Sequence, residues 1–108
     1  WNLPSFNCTA LGKWSIVLNS TSHKDWATPE NSILVEPSGL EDIYDDVFFR
    51  KGAPFNQGEK YTVTEDQIIE KMEFSETKAK IKNTEGEKLV DKFTYQKTIN
   101  SLLEVINV

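Results

Sequence analysis

The chain has 108 residues, the usual length of one domain, and we expect a single domain over residues 1–108. Its net charge of -5 at pH 7 argues against binding to nucleic acid or to an anionic membrane surface, because both require many Lys and Arg side chains. No apolar run approaches the ~20 residues that span a bilayer. A single cysteine excludes a scaffold held by intrachain disulfides.

Alternation of apolar and polar residues predicts eight short strands in chain order, at about 13–19, 32–36, 43–51, 59–63, 67–74, 78–82, 89–96 and 102–107. The residues before them, Leu3 to Phe6, predict a short helical turn. The segment 67–74 also has the Glu and Lys content of a helix. We favour a strand there because Ile68, Met72 and Phe74 share one face at a period of two.

Most connections between these strands are short, which indicates antiparallel neighbours, since a parallel return needs a crossover of about a dozen residues or more. Eight antiparallel strands in sequence leave two exposed edges unless the sheet closes. The predicted fold is therefore all-β, a small eight-stranded antiparallel up-and-down barrel with a short N-terminal helical turn.

The segment Ala10-Leu11-Gly12-Lys13-Trp14 resembles the opening signature of the lipocalin-like (calycin) superfamily, a Gly-x-Trp at the start of the first barrel strand. The resemblance implies that Gly12 turns the chain into that strand and that Trp14 fills the closed end of the barrel. Residues 93–96 and 102–105 also resemble the closing hairpin of small lipocalin-like domains. The chain departs from the family in its shorter length and in the absence of an Arg after the last strand.

The barrel prediction leads to a function, a non-enzymatic secreted carrier or scavenger of a small apolar molecule held in the barrel cavity. The predicted mouth lies between the loops 20–31 and 51–58, which contain Trp26 and Phe55. Inward-facing apolar positions assign ligand contact to Phe49, Tyr61, Met72, Phe74, Phe93 and Tyr95. The alternative is a barrel with a filled core that binds a protein partner through its loops, as an inhibitor or a surface-protein module.

The residues that carry catalysis or bind metals are sparse, and we expect no enzyme, no cofactor and no metal site. Nucleophilic catalysis needs a base beside a Ser or Cys, and the single histidine, His23, lies in a polar loop. Zinc needs three or four His or Cys ligands, and the chain has one of each. The acidic run 41–46 offers oxygens for Ca²⁺, but it lacks the spacing of a calcium loop, so we favour a solvated turn.

Two tripeptides match the N-glycosylation acceptor pattern, at Asn7 and at Asn19. Together with a first residue that is Trp1 rather than Met, they favour a secreted, extracellular glycoprotein over chance matches. Cys8 is either a thiol that pairs between chains or a quiet, half-buried side chain, and we favour the second.

Overall fold

The architecture is mixed α/β and 43% helical. The computed structural model describes residues 1–55 and 58–107, so Asn56 and Gln57 of the predicted mouth loop lie outside it. The elements are α1 (Leu3–Ala10), β1 (Ile16–Leu18), a 3₁₀-helix (Thr21–Asp25), β2 (Ile33–Val35), β3 (Gly39–Asp42), β4 (Glu59–Thr62), α2 (Glu65–Glu76), α3 (Thr84–Glu87), α4 (Leu89–Lys92) and α5 (Tyr95–Ile106).

The prediction of an all-β, eight-stranded barrel is wrong. The described residues contain four short strands in two separate two-stranded sheets, β1–β2 and β3–β4, and these sheets do not close into a barrel. The predicted N-terminal turn is a helix of eight residues, α1. Where a strand was predicted over 43–51, the strand β3 comes earlier, and the apolar run from Val47 to Phe49 lies in a bend.

Side-chain caps mark where helices begin in the C-terminal half of the chain. At the start of α2, the Thr64 hydroxyl accepts a hydrogen bond from the Gln67 backbone N–H, and the Gln67 side chain accepts one from the Thr64 N–H. This capping box, with Glu65 and Asp66 in the positive first turn, stabilises a helix over the predicted strand 67–74.

The last two predicted strands are also helical, and the segment 78–82 is a turn. Thr94 caps α5 by accepting a hydrogen bond from the Lys97 N–H. The apolar residues Tyr95, Ile99 and Leu102 recur at the helical spacing and not at the period of two that the strand prediction assumed.

The strands β1 and β2 pair in parallel, with Ile16 opposite Ile33 and Leu18 opposite Val35. The crossover between them, residues 19–32, contains the 3₁₀-helix and has the length that a parallel return needs. The strands β3 and β4 are antiparallel, with Leu40 opposite Tyr61.

The core lies on one face of the parallel sheet, where Val17, Ala27 and Leu89 surround Trp26. Trp26 is 1% exposed, and its ring N–H donates to the Trp1 carbonyl at 2.9 Å. The placement of Trp26 at a barrel mouth is therefore wrong, because this side chain is the largest in the core.

Gly12 and Trp14 have structural contacts, but there is no barrel for Trp14 to fill. Gly12 has a φ of +88°, which favours glycine, and its carbonyl accepts a hydrogen bond from the Asn83 N–H. Trp14 is half-buried ahead of β1, and its ring N–H donates to the Ile81 carbonyl at 2.9 Å. The Lys78 ammonium lies 4.7 Å from the centre of the Trp14 ring.

Asn83 is fully buried and joins three segments of the chain. Its side-chain amide donates to the Lys13 carbonyl at 2.9 Å and to the Asn31 carbonyl at 2.7 Å. Its side-chain oxygen accepts from the Gly86 N–H at 2.9 Å. Both polar groups of this side chain are therefore satisfied, as buried polar groups require.

The molecule is flat. Its radius of gyration is 17.5 Å and its extents are 48 × 46 × 19 Å, whereas a compact domain of this size has a radius of about 13 Å. A thickness of 19 Å accommodates about two layers of secondary structure. Many large apolar side chains consequently stay exposed, among them Ile69, Met72 and Leu102.

Within the described ranges, no helix has both the length and the apolar character to cross a membrane.

Candidate functional site

The face of the parallel sheet opposite the core packs against α2. Because side chains alternate along a strand, Val17 points to the core, whereas Ile16, Leu18, Ile33 and Val35 share the other face. The Gln67 side-chain amide donates to the carbonyl of Glu36, directly after β2, at 3.0 Å. This bond holds the start of α2 beside β2.

Helix α2 covers only half of this sheet face. On β2, Ile33 is 3% exposed and Val35 is also buried. On β1, Ile16 is 36% exposed and Leu18 is half-buried. The β1 half of this apolar sheet face is therefore partly open to solvent.

The orientation of α2 leaves its apolar edge beside this open half. Its least exposed positions include Gln67, Lys71 and Ser75, which share one stripe of the helix at intervals of one turn. Ile69 and Met72 are exposed, and Met72 keeps 56% of its surface. The helix thus contacts the rest of the molecule largely through polar side chains and leaves apolar ones uncovered.

An open groove of about 510 Å³ runs between α2 and β1, lined by Ile16, Val17, Leu18, Val35, Val63, Ile68 and Met72. A second hollow of about 500 Å³ shares Ile16 and Met72 with it and continues along the helix past Ile69, Glu73, Ser75 and Glu76. We call the two together the α2 groove. Its floor is apolar throughout, and the polar groups lie at its helical edge.

Acidic side chains border the α2 groove. Glu65 precedes Ile68 and Ile69 by one helical turn on the same face, and Glu76 follows Met72 by one turn. Glu73 lies alongside, and all three glutamates are exposed. Among the ion pairs of the described residues, none includes these three carboxylates.

The six residues predicted to contact a ligand lie in separate places. Met72 lines the α2 groove, and Phe74 lies on α2 with the Lys78 ammonium 5.9 Å from its ring centre. Tyr61 is on β4, in the other sheet. Phe49 lies in the loop after β3, where its ring would collide with any side chain at Gly58.

The remaining two, Phe93 and Tyr95, line one hollow of about 610 Å³ together with Trp1 and Phe6. The Phe93 ring meets the Phe6 ring edge-on at 5.6 Å and the Trp1 ring at 5.0 Å. The structure therefore brings Phe93 and Tyr95 together and keeps the other four predicted residues apart from them.

The predicted glycosylation residues have defined surroundings. Asn7 is exposed on α1, but the Thr9 of its tripeptide is fully buried and its hydroxyl donates to the Ser5 carbonyl at 2.8 Å. The Asn19 side-chain amide donates to the Glu36 carboxylate at 2.8 Å. Cys8 is an exposed free thiol, contrary to the half-buried side chain that we favoured.

Two side chains of the acidic run, Asp42 and Asp45, accept hydrogen bonds from nearby residues. One Asp45 carboxylate oxygen accepts hydrogen bonds from the backbone N–H groups of Val47, Phe48 and Phe49, which lowers the pKa of Asp45. The Tyr44 hydroxyl donates to Asp42, which raises the pKa of Tyr44. Across residues 1–55 and 58–107, no three His, Cys, Asp or Glu side chains converge to hold a metal ion.

The sequence does not predict the α2 groove, because its apolar pattern assigns the segments on both sides of the groove to one barrel. The capping pair Thr64 and Gln67 was the available signal, since it places Ile68, Ile69 and Met72 on one helical face. Comparison with family models, with curated proteins and with solved structures returns no match to this chain.

Proposed function

We propose that this chain is a non-enzymatic protein-interaction module whose partner docks in the α2 groove. The observation that carries the proposal is the half-covered sheet, in which Ile33 is buried and the paired Ile16 is open. Free monomers rarely expose a large contiguous apolar surface, and such a surface commonly marks an interaction site.

The shape of the groove favours a polypeptide over a small molecule. Sites for small molecules bury about 70–90% of the ligand surface. The α2 groove is a long, open surface, in which Ile16 is 36% exposed and Met72 is 56% exposed. The carrier prediction depended on a barrel cavity, and the two sheets of the described residues do not close into a barrel.

Burial of the groove by a partner provides part of the driving force for binding. Complete burial of an exposed apolar side chain contributes about 1.5–3 kcal/mol. The groove residues Ile16, Leu18, Ile68, Ile69 and Met72 are partly exposed, so covering each of them contributes at most about half of that figure. The sum offsets a substantial part of the cost of association, about 4–15 kcal/mol.

The test uses a synthetic peptide of about 18 residues, long enough to form a helix on a surface, with leucines along one helical face and glutamines elsewhere. Its titration into isotope-labelled protein is followed by amide and methyl NMR shifts. We expect the largest shifts at β1 and at the second half of α2. Shifts confined to other elements, or no shifts at millimolar peptide, would contradict the proposal.

Two matched variants identify the surface that binds the peptide. Met72 and Leu102 are both 56% exposed and both lie on helices, α2 and α5. We expect Met72→Gln to weaken binding about tenfold, the effect of about 1.4 kcal/mol, and Leu102→Gln to leave it unchanged. The reverse result would assign docking to α5 and overturn the proposal for the groove.

A further inference from the structure

We infer that the segment that docks in the α2 groove is a cationic amphipathic helix. This inference rests on the proposed function and names the chemistry of the partner. Its two supports are the acidic border of the groove and the incomplete helical layer over the parallel sheet.

The incomplete layer favours a helix as the occupant. Parallel strands are normally covered on both faces, and helices are the usual cover. Here α2 lies nearer β2, where Ile33 and Val35 are buried, and the Ile16 and Leu18 side of the face is less covered. Neighbouring helices pack about 8–10 Å apart, so a second helix alongside α2 would cover the side chains of β1.

The acidic border selects the charge of that helix. From Glu65 to Glu76 the axis of α2 extends about 16 Å, or roughly three turns. Glu65 and Glu76 flank the apolar stripe at its two ends, and Glu73 lies beside it. Lys or Arg side chains on the edges of an approaching helix would meet these carboxylates, whereas acidic side chains would be repelled.

The nearby basic side chains Lys13, Lys80 and Lys82 line a neighbouring hollow that shares Ser75 with the α2 groove. Lys71 is half-buried on the stripe of α2 that also contains Ser75, and it is not among the residues that line the groove. Lys78 follows the helix and lies over the rings of Trp14 and Phe74. The net charge of -5 for the whole chain also favours a cationic partner and opposes approach to an anionic lipid surface.

The test compares three peptides of about 18 residues, the length used above, that share one leucine face and carry Lys, Gln or Glu on the polar face. We expect the Lys peptide to bind at least about tenfold tighter than the Glu peptide at low ionic strength. This preference should shrink strongly at 1 M salt, where charges are screened beyond about 3 Å.

Charge-reversal variants link the preference to the groove. The double variant Glu73→Lys with Glu76→Lys should weaken binding of the Lys peptide and strengthen binding of the Glu peptide. Lysine in the last turn interacts favourably with the helix dipole, so circular dichroism should show that α2 is retained. The control, Glu30→Lys with Glu104→Lys, changes the net charge equally at positions outside the groove. An equal loss in the control would reduce the effect to net charge and overturn the inference.

The possible outcomes separate this inference from the proposed function. If all three peptides shift the groove residues with equal affinity, the groove binds proteins but the inferred charge is wrong. If none shifts them, the proposed function fails as well. Vesicles of anionic lipid serve as a further arm, and protection of the groove methyls by these vesicles in place of the Lys peptide would contradict a protein partner.

Discussion

Ile16 and Ile33 are paired across the parallel sheet and point to the same face, yet Ile33 is 3% exposed and Ile16 is 36% exposed. The difference arises because α2 lies nearer β2, where Gln67 is hydrogen-bonded to the Glu36 carbonyl. Two isoleucines in equivalent positions thus have different surroundings. Ile33 contributes to internal packing, whereas Ile16 is available to a partner.

This pair gives the first prediction. Ile33→Ala should lower the free energy of unfolding by about 2–5 kcal/mol, the usual cost of removing a buried isoleucine. Ile16→Ala should cost less, about 1–2 kcal/mol, because about a third of this residue is already in water. Urea denaturation of both variants measures the difference. Equal costs would show that α2 covers the two strands alike.

The sequence predicted strands close to β1 and β2 because Ile16, Leu18, Ile33 and Val35 form short apolar runs next to turn residues. It did not predict that they pair in parallel. The crossover 19–32 has sufficient length for parallel pairing, but strand order depends on long-range packing around Trp26, which local patterns do not encode.

The second prediction concerns the buried hydrogen bonds of Asn83. Asn83→Ala leaves the Lys13 and Asn31 carbonyls and the Gly86 N–H without their partner. At about 1–3 kcal/mol for each group, the variant should lose at least 3 kcal/mol of stability, a large part of the total for a small domain. Thermal unfolding by circular dichroism measures the loss.

The control for this variant is Asn100→Ala. Asn100 is exposed on α5 and bonds only to the Gln96 side chain among the described contacts. Its replacement should change stability by no more than about 0.5 kcal/mol. A comparable loss in the two variants would contradict the assignment of Asn83 as a buried link between segments.

The third prediction tests the capping box of α2. Thr64→Ala removes the oxygen that accepts from the Gln67 N–H, and we expect a loss of about 1 kcal/mol with faster amide exchange in the first turn of α2. Thr64→Ser keeps the oxygen and should restore most of the stability. Identical exchange in all three proteins would show that the cap does not determine where α2 begins.

The same helix explains the largest error of sequence-based reasoning. Ile68, Met72 and Phe74 fit a period of two as well as parts of a helical period, so the apolar pattern alone did not decide. Thr64 and Gln67 do decide, because their side chains accept hydrogen bonds from free N–H groups at the start of the helix. Glu65 and Asp66 add favourable charge at the positive end of the helix dipole. The candidate site could not emerge from the pattern, since it depends on where α2 packs.

The fourth prediction concerns pH. Three backbone N–H groups, those of Val47, Phe48 and Phe49, stabilise the charged form of Asp45 and hold its pKa below the ordinary value of about 3.9. The interaction therefore stabilises this bend at pH values above the unfolded pKa and is lost as the pH falls through the lower, folded pKa.

NMR titration of the Asp45 carboxyl group measures this pKa directly. The amide shifts of Val47 and Phe49 should follow the same low midpoint, and Asp45→Asn should abolish that step. A midpoint at or above about 3.9 would contradict the hydrogen-bonded bend.

The most direct test of the central claim is the solvent accessibility of methyl groups in the free protein and with the lysine-bearing peptide. A soluble paramagnetic agent broadens methyl signals that contact solvent. We predict strong broadening of the Ile16 and Met72 methyls and little of Ile33 in the free protein, with Ile16 and Met72 becoming protected when the peptide is bound. Protection of Ile16 and Met72 before any peptide is added would show that the groove is already closed and would contradict the account.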